Sequence, residues 1–252
     1  MRKTEIYEFY AFGFNYCLIK QEGLKGHLKE NAVKMLKNFL GSLKTLHLPV
    51  VIRIAEDLEG IIKELNESDG DIIEETRAEE IRGIIEKLDP ALDAELQLKE
   101  AYIITEKRYP LTSLLDSPKK LLANNVYDSL SDTSRKDFSL ACTQIALNQP
   151  TAAAFHLMRA LEEQVRNLYF CFKKTKRANN PTWGLIISQL RSKRSPKPSE
   201  NSLTHLDSIR VQYRNPTQHP DTFYSMDEAQ DLLNQTVTAI NMVNREIDRI
   251  SK

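Results

Sequence analysis

The stretch Arg214-Asn215-Pro216-Thr217-Gln218-His219, closed by Pro220, separates two segments of helical periodicity and decides how the rest of the chain is read. Asn215 is a residue type that caps helices and Pro216 one that opens them, so the pair predicts the start of a new turn. Pro216 disfavours α geometry at Asn215, and Pro220 does the same at His219. Upstream, residues 200–213 fit a helix. Downstream, Ser225 followed three residues later by Glu228 fits a capping box that opens a last helix to about Ile250. Arg214 and His219 therefore fall on a kinked joint between two helices, a place where polar side chains are often functional.

Moving outward from the joint, residues 195–199 form an exposed linker. Thr182 is expected to cap a helix holding Trp183, Leu185, Ile186, Ile187 and Leu190. Pro150 is placed to open a helix to about Lys174, and Ser134 to cap the one before it, which ends at Asn148-Gln149. A short helix is expected over 118–122. Tyr102-Ile103-Ile104-Thr105 is short and β-branched, the best strand candidate in the chain. Farther back, Leu28, Ala32, Met35, Leu36, Phe39, Leu40 and Leu43 recur at helical spacing. A second helix is expected over about 50–65 and a third over 76–88, with Asp89-Pro90 restarting a fourth to Lys99. The aromatic first 22 residues suit strand or helix. Only eight glycines in 252 residues, with abundant Glu, Lys and Leu, favour helices throughout. The expected fold class is all-α, with an N-terminal helical region over 1–100 and a helical domain over 101–252.

The net charge is zero, so bulk charge does not make this chain a polyanion binder. The charge is unevenly spread, however. Residues 164–199 contain no acid but carry Arg166, Lys173, Lys174, Lys176, Arg177, Arg191, Lys193, Arg194 and Lys197, whereas 56–100 is rich in acids. A basic stretch beside the joint suits a phosphate backbone, and it also suits a plain solvated face. Three cysteines are too few and too scattered for a disulfide framework or a zinc site. Cys142 and Cys171, in apolar helical runs, are expected in the core. No metal and no cofactor is expected. Neither an uninterrupted apolar span nor a signal-peptide cleavage site is present, which predicts a cytoplasmic protein without membrane association.

An arginine and a histidine can do chemistry together without a metal. Histidine exchanges a proton near neutral pH, and the arginine fork matches the oxygens of a phosphate. RNA brings its own nucleophile, the 2′-hydroxyl. Deprotonating it and stabilising charge on phosphorus yields a 2′,3′-cyclic phosphate and a 5′-hydroxyl. One Arg and one His per chain are few groups for this, so two copies paired in a dimer would help. Against this stands chance: an R-x4-H string is short, and a histidine near a helix end is commonly a cap or a packed side chain.

The R-N-x-x-x-H element before a final amphipathic helix resembles the signature of HEPN domains (higher eukaryotes and prokaryotes nucleotide-binding). The stretch Gln149-Pro150-Thr151-Ala152-Ala153-Ala154-Phe155-His156-Leu157-Met158-Arg159-Ala160-Leu161-Glu162, followed by a Trp-bearing helix, is similar to bacterial HEPN-like proteins. The resemblance covers about Ala101 to Ile250. It implies a bundle of four or five helices that dimerises. It also implies a metal-independent endoribonuclease acting on RNA as a toxin or antiphage effector, with an antitoxin or other defence protein as a further partner. Arg214 and His219 would be catalytic and Asn215 would support them. In some toxins of the family the motif continues H-x-Y, with the tyrosine a modification target; here Asp221 takes that place and Tyr224 follows. Other members are non-catalytic nucleotide-binding or protein-interaction modules.

On the helix from Thr151, helical spacing gives an apolar face of Ala154, Phe155, Met158, Leu161, Val165, Leu168 and Phe172. A polar stripe of His156, Arg159, Glu163 and Arg166 runs beside it. Glu163 is expected either to orient His219 or Arg214, or to form an ordinary surface pair with Arg159. Arg159 is a second candidate phosphate ligand. Lys173, Lys174, Lys176, Arg177, Arg191, Lys193 and Arg194 are the candidate RNA contacts. His27, His47 and His205 are expected to be structural or exposed, and Trp183 to be core. An acidic N-terminal region restraining the basic one is a further possibility at this level.

Overall fold

Apolar side chains three and four residues apart supply the buried face of each long helix. The computed structural model describes residues 5–68, 70–173 and 181–251. The fold is all-α, and the only β pairing among the described residues is an isolated bridge between Leu28 and Ile72. The chain divides into two compact units, Met1–Tyr102 and Ile103–Lys252, each with its own core.

The N-terminal unit contains α1 (Ile6–Glu22), α2 (Lys29–Thr45), α3 (Pro49–Ile54), α4 (Glu56–Glu67) and α5 (Glu75–Gln97). The aromatic first segment is thus helical. Gly23 ends it in the left-handed region, donating its N–H to the Ile19 carbonyl, and a Cβ there would run into the Ala78 carbonyl. The helix expected over 50–65 is broken at Ala55 into α3 and α4. The expected restart at Asp89-Pro90 does not occur: α5 runs straight through. Asp89 accepts hydrogen bonds from Tyr16 and Lys20 of α1 instead of capping a new helix. Pro90 and Glu86, whose carbonyl loses its partner, both lie on the exposed face, where water can satisfy that oxygen. Ile81, Ile84, Ile85, Leu88 and Leu92 keep the inner face continuous across the proline.

The C-terminal unit contains α6 (Leu111–Leu115), a 3-10 turn over Pro118–Leu121 and α7 (Val126–Ser129). Then come α8 (Asp132–Ala146), α9 (Pro150–Phe172), α10 (Trp183–Arg191), α11 (Glu200–Ile209), α12 (Asn215–Thr217) and α13 (Met226–Ser251). The strand expected at Tyr102–Thr105 is absent. Among the described residues no neighbouring strand exists to pair its backbone, and Tyr102 and Ile103 project into solvent. The segment is fastened just beyond, where the Arg108 N–H donates to Gln230 Oε1 and its guanidinium pairs with Asp227 and Asp231 of α13. Helix α9 lies at the centre, burying Leu157, Leu161, Val165 and Leu168 against α8, α10 and α13. Trp183 is buried, as spacing predicted.

Several caps behave as expected and others do not. Pro150 is the first residue of α9, and Thr182 accepts from the Leu185 N–H. Ser225 and Glu228 form the reciprocal capping box, Ser225 N–H to Glu228 Oε2 at 2.8 Å and Glu228 N–H to Ser225 Oγ at 3.2 Å. The cap of α8, however, is Ser131 rather than Ser134: Ser131 Oγ accepts from the Ser134 N–H, while the fully buried Ser134 hydroxyl donates to the Ala160 carbonyl. Cys142 is buried, which pushes its thiol up to about 12. Cys171 is exposed, contrary to expectation, as is Phe155: both lie at the edge of the α9 apolar stripe, which is narrower than the sequence pattern.

Candidate functional site

The joint after α11 is not a break with a fresh N-cap. Arg210–Arg214 forms a π turn, in which the Asn215 N–H reaches the Arg210 carbonyl five residues back. Asn215 itself is helical, at φ −67° and ψ −49°. The physical reason lies in Pro216: in a regular α-helix its ring would press on the carbonyl four residues earlier and it would offer no N–H. The wider π turn makes room, so the helix swells rather than restarting. It ends at Thr217, and the His219 N–H closes a turn on the Pro216 carbonyl at 2.8 Å.

Both ends of this joint are pinned to α9. At the upstream end, Arg214 Nε and Nη2 lie 3.2 and 3.4 Å from the two carboxylate oxygens of Glu162, which also accepts from Arg166 Nη2 at 2.9 Å. Two guanidinium groups thus share one carboxylate that is 16% exposed. At the downstream end, the Tyr224 N–H donates to Thr151 Oγ1 at 3.1 Å. Between the pins, Thr217 Oγ1 donates to the Tyr213 carbonyl at 2.6 Å and contacts the Tyr224 hydroxyl at 2.7 Å, and the Tyr213 and Tyr224 rings stack. Burial raises the Tyr224 phenol above its ordinary value, keeping it protonated at neutral pH.

Arg214 is half-buried; Asn215 and His219 are exposed. Among the described residues the His219 ring makes no hydrogen bond or ion pair, and Arg214 Nη1 makes none either. The joint therefore offers a held guanidinium and an open imidazole on one short turn. Glu163, expected to serve the site, does not meet Arg214: it faces Arg166 at 3.9 Å, and Glu162 takes that place. Arg159 forms no pair with Glu163; its Nε lies 3.2 Å from Asp137 Oδ2 on α8, beside a His156 Nδ1–Asp137 Oδ1 contact of 2.8 Å. Glu162 and Asp137 are the residues that sequence reasoning missed. Asp137 did carry a signal: with Ser134, Phe138, Ala141 and Ile145 it occupies the buried ladder of α8, an odd position for a carboxylate.

The candidate RNA contacts are partly committed elsewhere. Lys173 donates to Gln189 Oε1 at 2.7 Å and lies over the Tyr169 ring. Lys193 donates to the Pro196 carbonyl at 2.8 Å. Arg191 lines an open cleft of about 550 Å³ between α10 and α11, with its guanidinium on Glu200 at 2.8 Å and Asp207 at 3.2 Å; Arg210 holds the other oxygen of Asp207. Burial pushes the Asp207 carboxyl up, but hydrogen bonds from Arg210 and Arg191 outweigh it and hold it below the usual carboxylate range. Arg194 is exposed. Lys174, Lys176 and Arg177 lie outside the described residues. Among the described residues no group of three His, Cys, Asp or Glu side chains could hold a metal ion, and no helix is long and apolar enough to cross a membrane.

No protein-family model matches the chain, and no curated protein or solved structure shows significant similarity to it.

Proposed function

We propose that the C-terminal unit is a metal-independent endoribonuclease of HEPN type, with Arg214 and His219 as its reacting groups. One observation carries this: the π turn and its two pins on α9 hold a guanidinium and an unpaired, exposed imidazole on the same short connection. The imidazole of His219 removes the proton of an RNA 2′-hydroxyl as that oxygen attacks phosphorus, and Arg214 stabilises charge on the attacked phosphate. As the P–O5′ bond breaks, an imidazolium returns a proton to the departing 5′-oxygen, leaving a 2′,3′-cyclic phosphate and a 5′-hydroxyl. Asn215 supports the turn. Glu162 orients Arg214. Two such units face each other in a homodimer and complete the constellation, and the protein acts in the cytoplasm as a toxin or antiphage effector restrained by an antitoxin or other defence partner.

The test is incubation of the purified protein with single-stranded RNA in the presence of EDTA. Cleavage is expected, with Arg214→Ala and His219→Ala slower by at least about a hundredfold. Variants that cut as well as the parent refute the assignment. A second reading is favoured by the Arg214–Glu162 pair taken alone: the joint is then a clasp within a non-catalytic interaction or nucleotide-binding module. Absence of cleavage, with a lower melting temperature in Arg214→Ala, supports that alternative.

A further inference from the structure

Helical spacing assigns Phe155 to the core, yet it stands 46% exposed. Its neighbours are polar. The His156 ring meets it edge-on, with centroids 6.4 Å apart and planes at 79°. Arg159, one turn farther along α9, has a half-exposed side chain. Behind these residues Asp137 is 3% exposed. One of its oxygens lies on His156 Nδ1 at 2.8 Å and the other 3.2 Å from Arg159 Nε. That second approach is outside hydrogen-bond geometry, so Asp137 Oδ2 is a buried acceptor with no hydrogen bond among the described residues.

A buried carboxylate is costly unless cationic or donor groups compensate it. Here the compensating groups are two side chains that also reach solvent. With Nδ1 committed to Asp137, the His156 tautomer and ring plane are set, and Nε2 remains for a ligand. Arg159 keeps its Nη atoms in the same way. An exposed ring beside a guanidinium and an oriented imidazole is what recognises a nucleotide: a π face for the base, a donor fork for the phosphate and an acceptor for a sugar hydroxyl.

The position on α9 ties this cluster to the joint. The joint is pinned at Thr151 and at Glu162, about 16 Å apart at 1.5 Å per residue. Phe155 lies one turn after the first pin and Arg159 just before the second. We propose that Phe155, His156 and Arg159, organised by Asp137, form a subsite for one nucleotide of the RNA strand beside the Arg214–His219 joint. The base stacks on Phe155, Arg159 donates to the adjoining phosphate, and His156 Nε2 accepts from the ribose 2′-hydroxyl. The identity of the ligand rests on the ribonuclease reading.

The test measures binding separately from cleavage. Fluorescence anisotropy of a short labelled single-stranded RNA is followed at low salt in the His219→Ala protein, alone and combined with Phe155→Leu, Phe155→Trp or Arg159→Gln. Phe155→Leu and Arg159→Gln are each expected to weaken binding about tenfold, Phe155→Leu without lowering the melting temperature and Arg159→Gln with a lower one because Asp137 loses a compensating charge, while Phe155→Trp retains binding. Binding by Phe155→Leu and Arg159→Gln within about twofold of the background refutes the subsite, even if the wild type cleaves RNA. Ring-dependent binding by a protein that does not cleave refutes the ribonuclease reading and upholds the subsite. Failure of the folded protein to bind RNA at all overturns both.

Discussion

Replacing Glu162 by Gln preserves the side chain's shape and removes its charge. In the parent, the carboxylate accepts from Arg166 at 2.9 Å and from Arg214 at 3.2 and 3.4 Å. A hydrogen bond to a charged group contributes about 1.5–3 kcal/mol, and the longer Arg214 contacts belong at the lower end. Gln keeps one acceptor oxygen but turns its amide donors toward a guanidinium, so with Oε1 retained the bonds from Arg166 and Arg214 Nη2 lose their charge assistance and the bond from Arg214 Nε is lost. The net cost is about 2 kcal/mol. For a unit of this size that lowers the melting temperature by about 4–8 °C. Trp183 is the only tryptophan in the chain and is buried in the C-terminal unit, so its emission during heating follows that unit alone. Freeing Arg214 from its carboxylate should also slow RNA cleavage by about a hundredfold, because a reacting group displaced by about 1 Å costs that much. A melting temperature within about 1 °C of the parent would refute the clasp energetics. A lowered melting temperature with unchanged cleavage would show that Glu162 does not position Arg214 for chemistry.

Tyr224→Phe removes the hydroxyl that meets Thr217 Oγ1 at 2.7 Å and the Tyr213 carbonyl at 3.2 Å; a loss of about 1 kcal/mol is expected in the Trp183-monitored melt, together with slower cleavage. Glu246 on α13 accepts from the Ser199 N–H and the Ser202 hydroxyl, each at 3.0 Å. Burial pushes its carboxyl up, but the bonds from Ser199 and Ser202 and the charge of Arg249 outweigh that and leave it below the ordinary glutamate value. A depressed folded-state pKa stabilises fully above the unfolded value and is lost as pH falls through the folded one. Glu246→Gln should therefore melt lower than the parent at neutral pH, with the gap closing below about pH 4; a gap constant down to about pH 3 contradicts this. Ser131→Ala should cost about 1 kcal/mol in denaturant unfolding, the ordinary loss for an N-cap.

Local signals in the sequence read correctly where the physics is local. The Ser225–Glu228 box, the Thr182 cap and Pro150 at the head of α9 each depend on residues within one turn, and each forms as its spacing predicts. Misreadings arose where tertiary contacts override local preference. Asp89-Pro90 looks like a helix boundary, but Asp89 is taken by Tyr16 and Lys20, more than sixty residues away, and the packed inner face of α5 carries the helix through. Tyr102–Thr105 has strand composition, but among the described residues there is no strand to pair with it. At the candidate site, Arg214 and His219 could be chosen from the motif, but their partner could not. A choice between Glu162 and Glu163 turns on about 100° of helix rotation, set by how α9 packs. Asp137 lies on another helix from His156 and Arg159, and only the fold brings them together.

The claim that this joint uses the RNA's own hydroxyl is tested most directly by a pair of labelled oligonucleotides of one sequence, one all-ribose and one with 2′-deoxyribose throughout, incubated with the protein in EDTA. The prediction is cleavage of the ribose strand only, leaving 2′,3′-cyclic phosphate and 5′-hydroxyl ends, and its loss in His219→Ala. Equal cleavage of the deoxy strand, or ribose cleavage that survives the loss of both Arg214 and His219, would contradict it.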